Sequence, residues 1–512
     1  MTSTSSDNDA SLQATRGDHA AAGASAPETL RYAGPALPSW LVSLVVHLAL
    51  VLLLALWYLP LPIEAPMSLM ARLTEFETLD EEVVDFDVEP EELDLEQSLA
   101  ETIAPAAEPV AEAIDASMLS ELAVEAPPME PLAFAPEVGL LDTLAVAGDF
   151  TAGGYGGRSS AARASMVRRA GGNSQSEKSV EDSLDWLSRH QHPDGSWSFD
   201  HRYGECNGQC DQHGSLANGV KGATGLALLP FLGAGNTHRD GRHERVVSRG
   251  IQALVSMIQL TPEGGSLYDG GQMYSHGIAA MALCEAYAMT EDKRLRAPAQ
   301  AAVNFICNAQ DPKGGGWRYE PRQPGDTSVM GWQIGALKSG YLAGVDVPAI
   351  VPGRASYFLD SVQLDEGETY AYELKELKYR PATSAIGLLC RMYLGVESDN
   401  PVLQQGVERL AKLGPSEQDA YFNYYATQVV FQYTSGKGAM WDKWNKTMRD
   451  MLTKSQETKD HAAGSWRARD GDHGKEKGGR LYATALNCMT LEIYYRLLPI
   501  YQSKAFEDEF EE

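Results

Sequence analysis

Between about residue 180 and residue 503 the apolar and polar positions follow one pattern over and over. An amphipathic helical stretch is followed by a turn that starts with Gln and holds a Gly and an aromatic residue, then by a second, more apolar helical stretch. The second stretches open at Thr224, His276, Thr327, Thr383, Thr427 and Thr484, in steps of 52, 51, 56, 44 and 57 residues. Six such units predict an all-α body of six helical hairpins over 179–503. Stretches 278–289 and 384–394 are apolar all round and are expected inside, whereas 245–258 and 298–309 keep one polar face and are expected outside. The opening Thr and His residues stand where an N-cap is wanted, and Gly233–Gly235, Gly344, Gly395 and Gly436 stand where helices stop.

The turns carry a finer signature. Gln191 to Trp197 and Gln310 to Trp317 both end Gly-x-Trp, Gln456 to Trp466 is a stretched version, and Gln259 to Leu267 and Gln363 to Tyr370 are eroded ones. The Gln is expected to cap a helix end and the Trp to stack on the neighbouring repeat. These turns resemble the QW turns of squalene and oxidosqualene cyclases. The hairpin pattern is similar to the α/α toroid of terpenoid cyclases and protein prenyltransferase β subunits, over about residues 176–503. Segments 264–271, 323–333 and 478–485 more narrowly resemble bacterial membrane-anchored proteins with prenyltransferase and squalene-oxidase repeats. The resemblance implies an (α/α)6 toroid around a central cavity.

A different pattern precedes the repeats. Residues 40–61 are almost wholly apolar, long enough at ~1.5 Å per residue to span a ~30 Å hydrocarbon core, with Trp40, Trp57 and Tyr58 at the ends. They predict an uncleaved transmembrane helix. Arg16 and Arg31 before it outweigh Arg72 after it, which puts residues 1–39 in the cytoplasm as a disordered N-terminus, and the body outside the inner membrane. The net charge of −28 is concentrated: residues 64–149 hold 23 acids against Arg72 alone. Residues 62–178, acidic and then rich in Gly, Ser and Arg, are expected to form a disordered tether, and 504–512 an acidic tail. With no basic face to neutralise phosphates, the chain is not expected to bind nucleic acid.

For chemistry, the resemblance points to the mouths of the inner helices. A cyclase of that kind protonates an alkene with the middle Asp of a D-x-D-D-T-A element. The matching stretch here keeps the last Asp as Asp326, while the middle position falls on Gly325 and the first on Gln323. Asp326 is the acid expected in its place, with His276 and Asp269 as neighbours that tune or relay its proton. A prenyltransferase zinc site needs Asp, Cys and His; the matching positions hold Asp326, Ser328 and Ala483, so no metal and no cofactor is assigned. Tyr268, Trp317, Trp332, Tyr372, Tyr424, Trp466, Tyr482 and His473 are the expected lining of an apolar pocket, with Asp472 near its opening.

Six cysteines are too few for a disulfide scaffold. Locally, His190, His192, His201, Cys206, Cys210 and His213 crowd into 24 residues. A Cys206–Cys210 disulfide pinning the loop is the favoured expectation there, free thiols the second, and a metal on Cys206, Cys210 and His213 the third. The functional expectation is a membrane-anchored toroid that binds, and in one version converts, an isoprenoid or other apolar ligand. The rival is a non-catalytic scaffold of the cell envelope with a protein partner. A third is a carbohydrate-active toroid working with Asp269 and Asp326 as paired carboxylates.

Overall fold

The computed structural model describes residues 155–202, 206–497 and 499–500, together with His47, an exposed helical residue of a separate N-terminal unit. Apart from His47, the expected membrane helix at 40–61 lies outside the described residues, as do the acidic tether up to 154 and the tail at 504–512. Among the described residues no helix is long and apolar enough to cross a membrane.

The body is built of helical hairpins. Helix α1 (Ser160–Arg169) precedes the first of them; the outer helices are α2 (Ser174–Arg189), α4 (Glu244–Ser256), α6 (Lys293–Ala309), α8 (Ile350–Val362), α10 (Pro401–Leu413) and α12 (Gly438–Ser455). The inner helices are α3 (Val220–Gly233), α5 (Gln272–Thr290), α7 (Thr327–Leu342), α9 (Pro381–Tyr393), α11 (Ala420–Thr434) and α13 (Lys475–Leu491), and a short α14 (Ile493–Arg496) follows. Each inner helix touches the next in chain order, and α13 returns to α3. Each outer helix packs on an inner one, α2 closing the outer layer against α13. The fold is therefore an α/α toroid. The polarity pattern explains the layering: α3 is buried from Lys221 to Gly233, while α4 buries Val247, Gly250, Ile251, Ala253, Leu254 and Val255 and leaves its other residues at least partly exposed.

The Gln and Trp of the turns exchange the roles expected of them. The indole N–H of Trp197, Trp317 and Trp466 donates to the last turn of its own outer helix, at Leu187, Ile306 and Leu452, over 2.8–2.9 Å. The Gln makes the link between repeats: Gln191 donates to Gly195 and Val246, Gln310 to Gly315 and Val351, and Gln456 to Gly464 and Ser179. The last of these joins the end of the ring to its beginning. Gly195, Gly315 and Gly464 all have positive φ and face a carbonyl of the following outer helix, where a Cβ would collide.

Three expectations are corrected. The opening Thr and His residues are not N-caps, because the helices begin earlier or, at Thr327, on Asp326. Instead three of them accept from the preceding turn: Trp197 N–H donates to Thr224, Leu267 N–H to His276 and Trp466 N–H to Thr484, at 3.0–3.1 Å. Second, the two eroded turns, lacking the Gly-Trp clasp, become backbone ladders. Strands β1 (Gln259–Thr261) and β2 (Gly264–Ser266) pair antiparallel, as do β3 (Gln363–Leu364) and β4 (Thr369–Tyr370). Third, the part of the tether from Tyr155 to 178 is folded. It holds a 3-10 turn, α1 capped by Ser159, and the start of α2 with an Asn173–Ser176 capping box. What composition hides there is a single buried cation, Arg158, paired with Glu285 of α5.

Candidate functional site

The N-terminal ends of the inner helices surround a cavity of about 680 Å³. Such a volume suits a small ligand. Leu226, Ile278 and Trp332 form apolar wall, and Tyr274, Tyr319, Tyr372, Tyr421 and Tyr482 bring hydroxyls to it. Trp332 is stacked on Tyr424 at 5.6 Å between centroids, which fixes its ring. Roughly 16 Å further along α5, at 1.5 Å per residue from Tyr274, the toroid is filled by Glu285 with Arg158 and Arg496. The cavity thus belongs to one end of the ring.

Asp326 lies behind the tyrosines. It is the N-cap of α7, one oxygen accepting from Val329 N–H at 2.8 Å, the other from the Tyr372 hydroxyl at 3.2 Å. Burial pushes its carboxyl up to about 6, against the pull of those two donors and of Arg318. Tyr372 in turn shares a 2.5 Å hydrogen bond with Tyr319. A second chain runs beside it: Tyr274 donates to Ser328 Oγ at 2.7 Å, and Ser328 Oγ lies 3.0 Å from the Tyr421 hydroxyl. Burial raises Tyr274, Tyr372, Tyr421 and Tyr482, so these phenols stay neutral donors at any physiological pH. The arrangement can hold a proton on a buried acid and connect it to the cavity through one hydroxyl.

The expected site residues divide sharply. Trp332, Tyr372, Tyr482 and His473 line the cavity, with Asp326 one hydrogen bond behind. Trp317 and Trp466 are helix-end clasps instead, Tyr424 supports Trp332 from behind, and Tyr268 presents its carbonyl to Lys221 at 3.2 Å. His276 is fully used by the scaffold, accepting from Leu267 N–H and donating to the Ala302 carbonyl at 3.0 Å; burial lowers it to about 4, so it is neutral. Asp269 accepts from the backbone N–H groups of Lys221 at 2.7 Å and Gly271 at 2.9 Å, capping α3 from the next repeat. Asp472 does the same for Ala420 of α11, at 3.0 Å. Neither His276 nor Asp269 is bonded to Asp326.

One acid went unnoticed in the sequence. Asp419 caps α11 as Asp326 caps α7, accepting from Phe422 N–H at 2.9 Å, and it lines the cavity. Burial holds it up at about 6 as well. An Asp immediately before an inner helix was the available signal. Tyr379 and Arg380, at the end of the loop before α9, also border the cavity, with the Arg380 guanidinium 5.2 Å from the Tyr372 ring. A second hollow of about 730 Å³ borders Asp419, between α12 and the 466–472 loop; its Lys446, Asp450, Arg467 and Arg469 make it a charged groove, and Asp326 does not line it. The expected Cys206–Cys210 disulfide is not formed: both residues are buried free thiols. His213, the expected third ligand, is exposed.

No family model matches the chain, and no curated protein does. Among solved structures it is similar to the GH76A α-1,6-mannanase of Salegentibacter sp. HEL1_6, at 12% identity and a TM-score of 0.44, covering 62% of this chain and 98% of that one. It is also similar to the type II terpene cyclase MstE from Scytonema, at 15% identity and a TM-score of 0.42, covering 63% and 97%. A novel α-amylase from Clostridium perfringens aligns at 11% identity and a TM-score of 0.42, covering 62% and 97%. The toroid assignment rests on the helix contacts of this chain.

Proposed function

We propose that this chain is a six-repeat (α/α)6 toroid, anchored by residues 40–61 in the inner membrane with its body extracytoplasmic, whose central cavity takes an isoprenoid-class or other apolar ligand. One observation carries the reading: a hollow of about 680 Å³ walled by Trp332 and six tyrosines, with a carboxyl whose pKa is held up at about 6 directly behind it. Apolar wall supplies affinity, aromatic faces accommodate unsaturated or cationic carbon skeletons, and the few hydroxyls orient a polar end. Conversion of the ligand uses Asp326 as the acid. Its proton passes to Tyr372 as Tyr372 gives its own toward Tyr319 or the ligand, and the net result is one proton delivered to the cavity and an Asp326 carboxylate left behind.

The test is native mass spectrometry with lipid extraction of the full chain purified from its own membranes. A polyprenyl or triterpenoid species should co-purify, and filling the cavity with Ile278→Trp should remove it. If Asp326 is the acid, Asp326→Asn, which keeps the cap on Val329, should retain the ligand and abolish its turnover. A chain that carries no apolar species and brings down a stoichiometric protein partner instead overturns the reading in favour of an envelope scaffold.

A further inference from the structure

We propose that His190, Cys206, Cys210 and His461 hold one zinc ion that ties the first repeat to the last. His190 ends α2, and the other three come from two places that depart from the repeat pattern. Cys206 and Cys210 sit in the long connection between Trp197 and α3, and His461 sits in the stretched turn between Gln456 and Trp466. These two insertions, at opposite ends of the body in sequence, meet where the ring closes. One ligand atom from each residue falls within 4.8 Å of all the others.

The chemistry of the donors fits. Two thiolates and two imidazoles are a tetrahedral zinc set, and with Zn–S at ~2.3 Å and Zn–N at ~2.0–2.1 Å the ligand–ligand edges come to roughly 3.3–3.8 Å. Cys210 Sγ lies 3.3 Å from His461 Nδ1. Two thiolates also neutralise the dication, which suits a pocket in which Cys206 and Cys210 are buried. Binding releases one proton from each thiol to solvent.

His190 gives the independent observation. Its Nδ1 lies 2.7 Å from the Trp186 carbonyl, which fixes the proton on that nitrogen. Its Nε2 lone pair is then left buried with no hydrogen-bond partner. An acceptor with no donor costs stability unless something fills the place, and a metal does. Trp186 stacks on the ring at 3.8 Å and holds it in plane. The insertions are also pinned from a third side: buried Arg480 of α13 donates to Ser465 at 2.9 Å and to Asp211. With four protein ligands and no open position, the zinc is structural.

The experiment uses the full chain in detergent, prepared without chelator. Zinc should be present at about one per chain and fall roughly tenfold in Cys206→Ser and in His461→Ala, while His213→Ala keeps it. Cobalt substitution should give the d–d bands of a tetrahedral site with thiolate charge transfer. His461→Cys, which exchanges one ligand for another, should retain the metal and strengthen the thiolate band, a result that a merely misfolded variant does not produce. Zinc content unchanged across Cys206→Ser and His461→Ala, or a Cys206–Cys210 disulfide in the non-reduced peptide map of chain taken from its own membranes, overturns the proposal.

Discussion

Arg158 and Glu285, 127 residues apart in sequence, form a 2.7 Å ion pair with both side chains fully buried. Arg496 reaches the same carboxylate from the other end of the body, at 3.1 Å. A segment before the first hairpin and one after the last thus meet on one inner helix. Removing the shared anion leaves two buried guanidinium groups facing each other. Glu285→Ala should cost about 3–5 kcal/mol, measured by urea unfolding of the chain. A loss below about 0.5 kcal/mol, the scale of an ordinary surface change, would show that the pair does not hold these termini.

The indole of Trp317 belongs to the scaffold, that of Trp332 to the cavity. Trp317→Phe keeps most of the packing and leaves the Ile306 carbonyl without its donor, so about 1–3 kcal/mol of stability should be lost with ligand recovery unchanged. Trp332→Ala should reduce the amount of apolar species extracted from the chain. If Trp317→Phe depletes the ligand and Trp332→Ala does not, the division between clasp and wall is wrong.

Burial holds Asp326 near 6 in the folded chain, against 3.8 as the ordinary value. Below about pH 4 both states are protonated and the group has no effect. As pH rises from about 4 to about 6 the unfolded chain releases this proton while the folded chain keeps it, so stability falls through that window. Asp419 acts in the same sense. Asp326→Asn should flatten part of the slope, and Tyr372→Phe, which removes a donor to the carboxylate, should raise the upper edge of the window while its lower edge stays near pH 4. Denaturation midpoints taken across pH decide it: an identical slope in wild type and Asp326→Asn would mean that Asp326 ionises freely in the fold.

Gly315 and Gly344 both have positive φ, +77° and +69°. Around Gly344 a Cβ meets nothing within 4 Å, whereas at Gly315 it presses into the Arg354 backbone. Gly344→Ala should therefore cost only the left-handed penalty of about 1 kcal/mol, and Gly315→Ala clearly more. Equal melting shifts for the two would show that the turn relaxes away from α8 at no cost.

Much of this fold was legible in the chain. Apolar periodicity and the Gln…Gly-x-Trp turns gave the hairpins and their inner and outer layers, because burial is decided by local spacing along each helix. The same reasoning placed Asp326 correctly at a helix start, next to the cavity. It failed for His276 and Trp317 because a polar or aromatic residue near a helix mouth serves a turn as readily as a ligand, and one-dimensional spacing does not distinguish the two. It failed at Arg158 because a Gly, Ser and Arg composition carries no sign that one guanidinium will be buried.

The sequence by itself determined the repeating unit, the concentration of charge before the body, and the residue types available for chemistry. Closure of the ring was decided only in three dimensions. Cys210 meets His461 across 251 residues, Gln456 meets Ser179 across 277, and no periodic signal encodes either meeting. Each depends on how the small turn from one hairpin to the next accumulates around the toroid, a sum over all the helix packings that no single segment of the chain contains.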